Sequence, residues 1–203
     1  HTTMNDVKVL ISFGAAGGGF ELAWAIKHDL DEILGNGSTY LDAISLSDDE
    51  HTRLTWSEQL GIWKMSNDNW LRHYVDAMNS CKSMLFIITE EWLESYYCWD
   101  EFLQFLKTPN CKPFFLITEQ AFKKLENGGC KELSNGGNVL VQDITSLKEV
   151  IERNVYYFIS EENSLNDYEW RISDTIVYRY NTKYSLLSGD SQHLISNIVS
   201  SVS

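Results

Sequence analysis

Ser83-Met84-Leu85-Phe86-Ile87-Ile88-Thr89 is the stretch on which the reading of the fold turns. An unbroken apolar run between small hydroxyl residues describes a strand buried on both faces, as inside a parallel sheet. A short acidic connection follows, and the chain then enters a helix over roughly residues 91–106. Within that helix Ser95-Tyr96-Tyr97-Cys98-Trp99-Asp100-Glu101 sets the Glu101 carboxylate among aromatic side chains. Carboxylates so placed tend to have raised pKa values and little water around them, the condition for acting on a substrate. Acidic residues near a helix N-terminus are also favoured by the helix dipole alone, so both readings stand at this point.

Working outward, Val7-Lys8-Val9-Leu10-Ile11-Ser12-Phe13 is a second run of the same kind, broken by Gly14-Ala15-Ala16-Gly17-Gly18-Gly19. Phe20, Ala23, Trp24, Lys27, Leu30, Ile33 and Leu34 then recur at helical spacing up to Gly35-Asn36-Gly37, which completes a strand–turn–helix unit. Residues 40–46 read as the second strand. The polar stretch from 47 to about 60 is a long loop of the sort that is usually functional. Trp70, Leu71, Tyr74, Val75 and Met78 mark a helix, and residues 114–118 form a fourth strand after a turn flanked by Pro109 and Pro113. Gly128-Gly129 and Gly136-Gly137 bracket a loop, Val139-Leu140-Val141 makes a short fifth strand, and residues 145–153 an amphipathic helix. Beyond 154 come mixed aromatic segments and a final helix with Leu194, Ile195, Ile198, Val199 and Val202 on one face.

Alternating strands and helices predict the α/β class: a doubly wound parallel sheet of about five strands with helices on both faces and a C-terminal elaboration. The divisions are residues 1–6 as a tag or disordered start, 7–153 as the domain, and 154–203 as an extension packed on it. Ligands of such sheets bind outside the carboxyl ends of the strands. The segments 14–19, 47–65 and 90–101 follow strands one, two and three, which implies one cleft.

With 203 residues the chain is long enough for a proper core. Its net charge of −13 argues against nucleic acid, which needs a basic footprint, and disfavours anionic membrane surfaces. No run approaches the ~18 apolar residues of a membrane span. The start, His1-Thr2-Thr3-Met4, lacks the pattern of a signal peptide, so the reading is a soluble protein of a cytoplasm. Cys81, Cys98, Cys111 and Cys130 have no CxxC spacing and read as reduced thiols, neither a disulfide frame nor a metal site.

The glycine loop can offer backbone amides to phosphate at a helix N-terminus, or be a plain tight turn. It is not a P-loop, because no Gly-Lys-Ser/Thr follows, and Ala16 breaks the GxGxxG spacing. Asp42 sits inside a strand run, where a carboxylate must find partners or face the cleft. Phe13, Trp63 and Trp70 can stack on a heterocycle or simply fill the core, and Lys64 is a phosphate cation or a solvated lysine. The five histidines form no ligand spacing, and no serine or cysteine is assigned as a nucleophile. A two-carboxylate glycosidase needs a second acid, and none is fixed by spacing.

Residues 83–102 resemble the third strand of Toll/interleukin-1 receptor (TIR) domains and the Ser-x-Trp-Cys-x-x-Glu box after it, with Tyr97 in place of the usual tryptophan. Val9-Leu10-Ile11-Ser12-Phe13 resembles the family's first box, and the loop after strand two its BB loop. Ser12-Phe13-Gly14, Gly18-Gly19-Phe20-Glu21-Leu22-Ala23, Tyr40-Leu41-Asp42-Ala43-Ile44-Ser45-Leu46, Lys64-Met65 and Glu91-Trp92-Leu93 are similar to cyclase-type TIR effectors of plant-pathogenic Pseudomonas. The likeness covers about residues 7–118.

It implies a flavodoxin-like TIR fold and an enzyme that cleaves the nicotinamide–ribose bond of NAD⁺, giving ADP-ribose or a cyclic ADP-ribose isomer that acts as a messenger. Glu101 matches the catalytic glutamate. Phe13, Gly14, Asp42, Trp63, Lys64 and Tyr97 are the expected substrate-binding residues. NAD⁺ is the substrate, no cofactor or metal is implied, and the partners are other TIR domains and a downstream effector that senses the product. The setting is an injected effector or anti-phage defence. Two rival readings are a non-catalytic TIR scaffold acting through TIR–TIR contacts and a flavodoxin-like nucleotide or flavin binder.

Overall fold

Strands apolar on both sides must be covered on both sides, and the computed structural model, which describes residues 7–14, 19–41, 54–57, 62–65, 77–172, 175–186 and 190–203, covers them with helices. In chain order the elements are β1 (Val9–Phe13), α1 (Gly19–Leu34), β2 (Thr39–Tyr40), β3 (Leu54–Ser57), β4 (Ile62–Met65), β5 (Ser83–Ile88), α2 (Glu90–Leu93) and α3 (Tyr96–Leu106). There follow β6 (Lys112–Thr118), α4 (Glu119–Asn127), β7 (Glu132–Asn135), β8 (Asn138–Val141), α5 (Ile144–Arg153), β9 (Val155–Ile172), β10 (Thr175–Leu186) and α6 (Asp190–Val202).

One sheet of six strands has the order β10-β9-β6-β5-β1-β2. From β2 to β9 all neighbours are parallel, and β10 lies antiparallel on β9. The parallel part is thus the flavodoxin-like order 2-1-3-4-5, with β1 and β5 beside the point where the winding reverses. β5 is buried at every position, as its sequence requires of a central strand.

Alternation along the strands divides the core. Leu10, Met84, Phe86, Ile88, Phe115 and Ile117 face α2–α5 and form an aromatic-rich cluster with Trp92, Trp99, Phe102 and Phe105. Val9, Ile11, Leu85, Ile87, Phe114 and Leu116 face the other way, onto Leu22, Ile26 and Leu30 of α1 and Leu194 and Ile198 of α6. At about 25 cal/mol per Å² of apolar area removed from water, these two layers are the main favourable term in folding.

Four features differ from the sequence reading. The helix expected over 91–106 is two helices. Thr89 caps α2 by accepting from the Trp92 N–H, and Ser95, extended at φ −94° and ψ 120°, caps α3 by accepting from the Cys98 N–H. The stretch read as a loop over 47–65 contains an antiparallel ribbon, β3 against β4. Val139–Val141 is no fifth sheet strand but belongs to the separate β7–β8 hairpin, which turns at Gly136-Gly137, both at positive φ. The fifth parallel strand is β9, paired with β6 through residues 155–159, and β10 makes a sixth sheet strand where about five were expected.

Residues 154–203 therefore supply two strands and a core helix to the same sheet. Of the second strand expected over 40–46 only Tyr40 and Leu41 are described, and of the helix expected around 70–78 only residues 77 and 78, which are helical. No helix among the described residues is long and apolar enough to cross a membrane.

Candidate active site

β1 leaves the sheet at Phe13, and the period of two turns Ser12 to the same face as Leu10, toward α3. On α3 the inward stripe is Cys98, Trp99, Glu101, Phe102 and Phe105, so the helix carries Glu101 into the aromatic layer between apolar neighbours. Glu101 is 5% exposed. A buried carboxylate needs hydrogen-bond donors, and the Ser12 hydroxyl donates to Glu101 Oε1 at 3.1 Å. The Ser12 oxygen in turn accepts from the Trp92 indole N–H at 3.0 Å. β1, α2 and α3 thus meet through three side chains at the carboxyl end of the central strands.

The backbone closes in on the same place. Cys98 Sγ donates to the Phe13 carbonyl at 3.4 Å. A Cβ on Gly14 would stand 2.9 Å from the Trp92 nitrogen and 3.1 Å from the Glu91 carbonyl carbon, so β1 exits directly against α2, where only glycine fits. The Leu93 carbonyl, at the end of α2, accepts from Trp99 Nε1 at 2.7 Å and from Gln142 Nε2 at 2.8 Å, which fixes the helix from behind.

Further carboxylates stand on the same edge. Glu91 Oε2 accepts from the Tyr184 hydroxyl at 3.4 Å. Burial pushes that phenol well above its ordinary pKa, with Glu91 and Glu161 adding to the effect, so Tyr184 stays the donor. Glu21, in the first turn of α1, is raised from the usual carboxylate value by burial, partly offset by a backbone hydrogen bond. Asp100, next to Glu101, is raised by burial against the opposing pull of Lys107 and Gln104.

The expected site residues are placed unequally. Glu101, Gly14 and the Phe13 backbone come together. The Phe13 ring lies on the α1 side of the sheet, with its centroid 6.0 Å from that of Phe20. Tyr97 is 44% exposed, and its hydroxyl accepts from Asn135 of β7 at 2.8 Å. Trp63 and Lys64 are described as backbone in β4, opposite Trp56 and Thr55 of β3. Asp42 lies outside the described residues.

Sequence reasoning missed Ser12 and Trp92. The signal for Ser12 is a lone hydroxyl on the inward face of an apolar strand. Its partner Trp92 is 80 positions away, beyond any local pattern.

Chemically, the site centres on the Glu101 carboxylate, held in an apolar layer at the edge where α/β sheets bind ligands and suited to stabilising positive charge that develops on a substrate. No protein-family model matches the chain, and no solved structure gives a match. It is 38% identical over 133 residues to the 3′ cyclic ADP-D-ribose synthase HopAM1 of Pseudomonas syringae pv. tomato, an alignment covering 61% of this chain and 48% of the relative. The chain thus spans about half the length of the curated relative to which it is similar.

Proposed function

We propose that this chain cleaves the nicotinamide–ribose bond of NAD⁺ and closes the product into a cyclic ADP-ribose isomer, or releases ADP-ribose. The observation that carries the reading is Glu101: a buried carboxylate, oriented by Ser12, at the carboxyl end of β1 in a chain similar to a cyclic ADP-ribose synthase.

The C–N bond breaks with its electron pair going to nicotinamide, which leaves as a neutral molecule. Positive charge then moves from the pyridinium ring onto the ribosyl carbon and its ring oxygen. A carboxylate at that carbon, or on the neighbouring hydroxyls, stabilises the oxocarbenium-like transition state more than the ground state. The apolar layer of Trp92, Trp99 and Phe102 strengthens the attraction by lowering the local dielectric. A hydroxyl oxygen of the same molecule or of water then bonds to the ribosyl carbon and releases its proton. The first closes the ring and the second gives ADP-ribose.

NAD⁺ is the substrate, and no resident cofactor is required. Self-association of TIR-type domains and a downstream protein that reads the product belong to the same proposal, as does work in a cytoplasm.

Purified protein incubated with NAD⁺ releases nicotinamide, and mass analysis of the second product separates a cyclic isomer from ADP-ribose. Glu101→Gln, whose amide oxygen can still accept from Ser12, abolishes release by at least about 10³-fold while keeping the melting temperature within a few degrees. Turnover by that variant at the parental rate refutes the assignment. No release at high protein concentration returns the chain to the scaffold reading.

A further inference from the structure

We propose that Ser12 and Trp92 are positioning residues for Glu101, forming a one-way hydrogen-bond chain from indole to hydroxyl to carboxylate that fixes how the carboxylate meets the substrate. The inference rests on the reading that Glu101 is the reacting carboxylate.

The direction of the chain follows from what each group can do. An indole nitrogen only donates, and a serine hydroxyl has one proton. Trp92 Nε1, 3.0 Å from Ser12 Oγ, occupies an acceptor site on that oxygen. The serine proton is then directed to Glu101 Oε1, the acceptor 3.1 Å away. Without the indole, the hydroxyl is free to turn, and Glu101 loses a fixed donor.

Each member stands on a rigid support. Ser12 is completely buried in β1, registered against Phe86 of β5. Trp92 is completely buried too. Its backbone N–H is held by Thr89 Oγ1 at 3.1 Å, and its ring lies 5.3 Å from Trp99 and 6.3 Å edge-on to Phe86. The Leu93 carbonyl after it is doubly bonded by Trp99 and Gln142. A hydroxyl in the middle of an apolar strand adds little stability over an apolar side chain of the same shape. What it adds here is orientation, and a reacting group must be held to within about half an ångström.

The test measures nicotinamide release from NAD⁺ by the full chain, with a thermal melt for each variant. Ser12→Ala lowers kcat by roughly ten- to a hundredfold, the range for a hydrogen bond to a charged group, and changes KM by less than about threefold. Ser12→Thr, which keeps the hydroxyl, recovers most of that loss. Trp92→Phe keeps a ring, removes only the indole N–H, and lowers kcat by about three- to tenfold.

The discriminating arm is a double-mutant cycle. Glu101→Asp withdraws the carboxylate by one methylene from Ser12, and in that background Ser12→Ala costs less than about twofold. A hydroxyl that only fills the core would cost the same in both backgrounds. Equal cost, or parental kcat in Ser12→Ala, overturns the proposal. If Ser12→Ala does not fold, the same cycle with Trp92→Phe decides it. Parental turnover by Glu101→Gln is a separate result: it overturns the functional reading, and this inference with it.

Discussion

At the amino end of the parallel strands Asp31 is 7% exposed, and at the carboxyl end Glu101 is 5% exposed. The two acids are equally buried and differently held. Lys27 Nζ lies 2.8 Å from Asp31 Oδ2, and the Thr39 N–H donates to Oδ1 at 2.9 Å. The same ammonium donates to the Thr39 carbonyl at 2.6 Å, closing a ring that ties α1 to β2. That acid is neutralised where it stands, with both oxygens used for structure. Glu101 Oε1 accepts from the hydroxyl of Ser12, a neutral donor that orients the carboxylate. Burial alone does not mark a working acid. Under the proposed function, the group that holds each acid and the end of the sheet it occupies are what separate the two.

The sharpest way to break this contrast is to remove each acid in turn. Asp31→Ala strands the Lys27 ammonium in the core and costs about 3–5 kcal/mol, read from denaturant unfolding, while kcat of the folded fraction stays at the parental value. Lys27→Met combined with Asp31→Leu recovers much of that loss, short of the Thr39 N–H left without its acceptor. Glu101→Gln does the reverse, with activity gone and the melt nearly unchanged. A loss of kcat in Asp31→Ala at parental stability would mean that the two ends do not divide structure from chemistry as described.

Gly14→Ala falls between these extremes, because Gly14 serves both purposes. The added methyl meets the α2 backbone at 2.9 Å, which cannot yield as a flexible side chain would. The cost is about 1–3 kcal/mol of stability. A fall in kcat accompanies it, since the displaced helix carries Trp92 away from Ser12. Melting and turnover measured on one preparation check both parts. A variant with normal turnover despite lower stability would detach α2 from the chemistry.

How much of this was legible in the sequence follows the same division. β1, β5 and β6 were readable because parallel strands buried on both faces leave continuous apolar runs. β9 was not, because only residues 155–159 pair inside the parallel sheet, and the rest is a polar edge ribbon completed by β10. The α2–α3 break was written in two capping residues, Thr89 and Ser95, but masked by helical apolar spacing running through both. Gly136-Gly137 was a two-residue hairpin signal read as a loop. Glu101 was visible as a carboxylate among aromatic residues near a helix start and as the last residue of a box resembling that of TIR domains. Its supports were not, because hydrogen bonds across 80 and 89 positions leave no local trace.

The smallest predicted effect tests the structural end from another side, through pH. His28 is on α1 beside the Lys27–Asp31 pair, with its ring 4.6 Å edge-on to Trp24. Burial first, and the positive charge of Lys27 second, lower its pKa from 6.5 to about 4, against the opposing pull of Asp31. The folded state therefore refuses a proton that the unfolded chain accepts. With the folded pKa below the unfolded one, this histidine takes away stability as pH falls from about 6.5, and the loss levels off below about 4. Unfolding free energy measured across that window should fall less steeply in His28→Gln than in the parent. Because His28 belongs to the α1–β2 end, the same substitution leaves the shape of the pH–kcat curve for nicotinamide release unchanged. A curve that moves with His28 would show that the two ends of the sheet share a proton equilibrium rather than dividing the work.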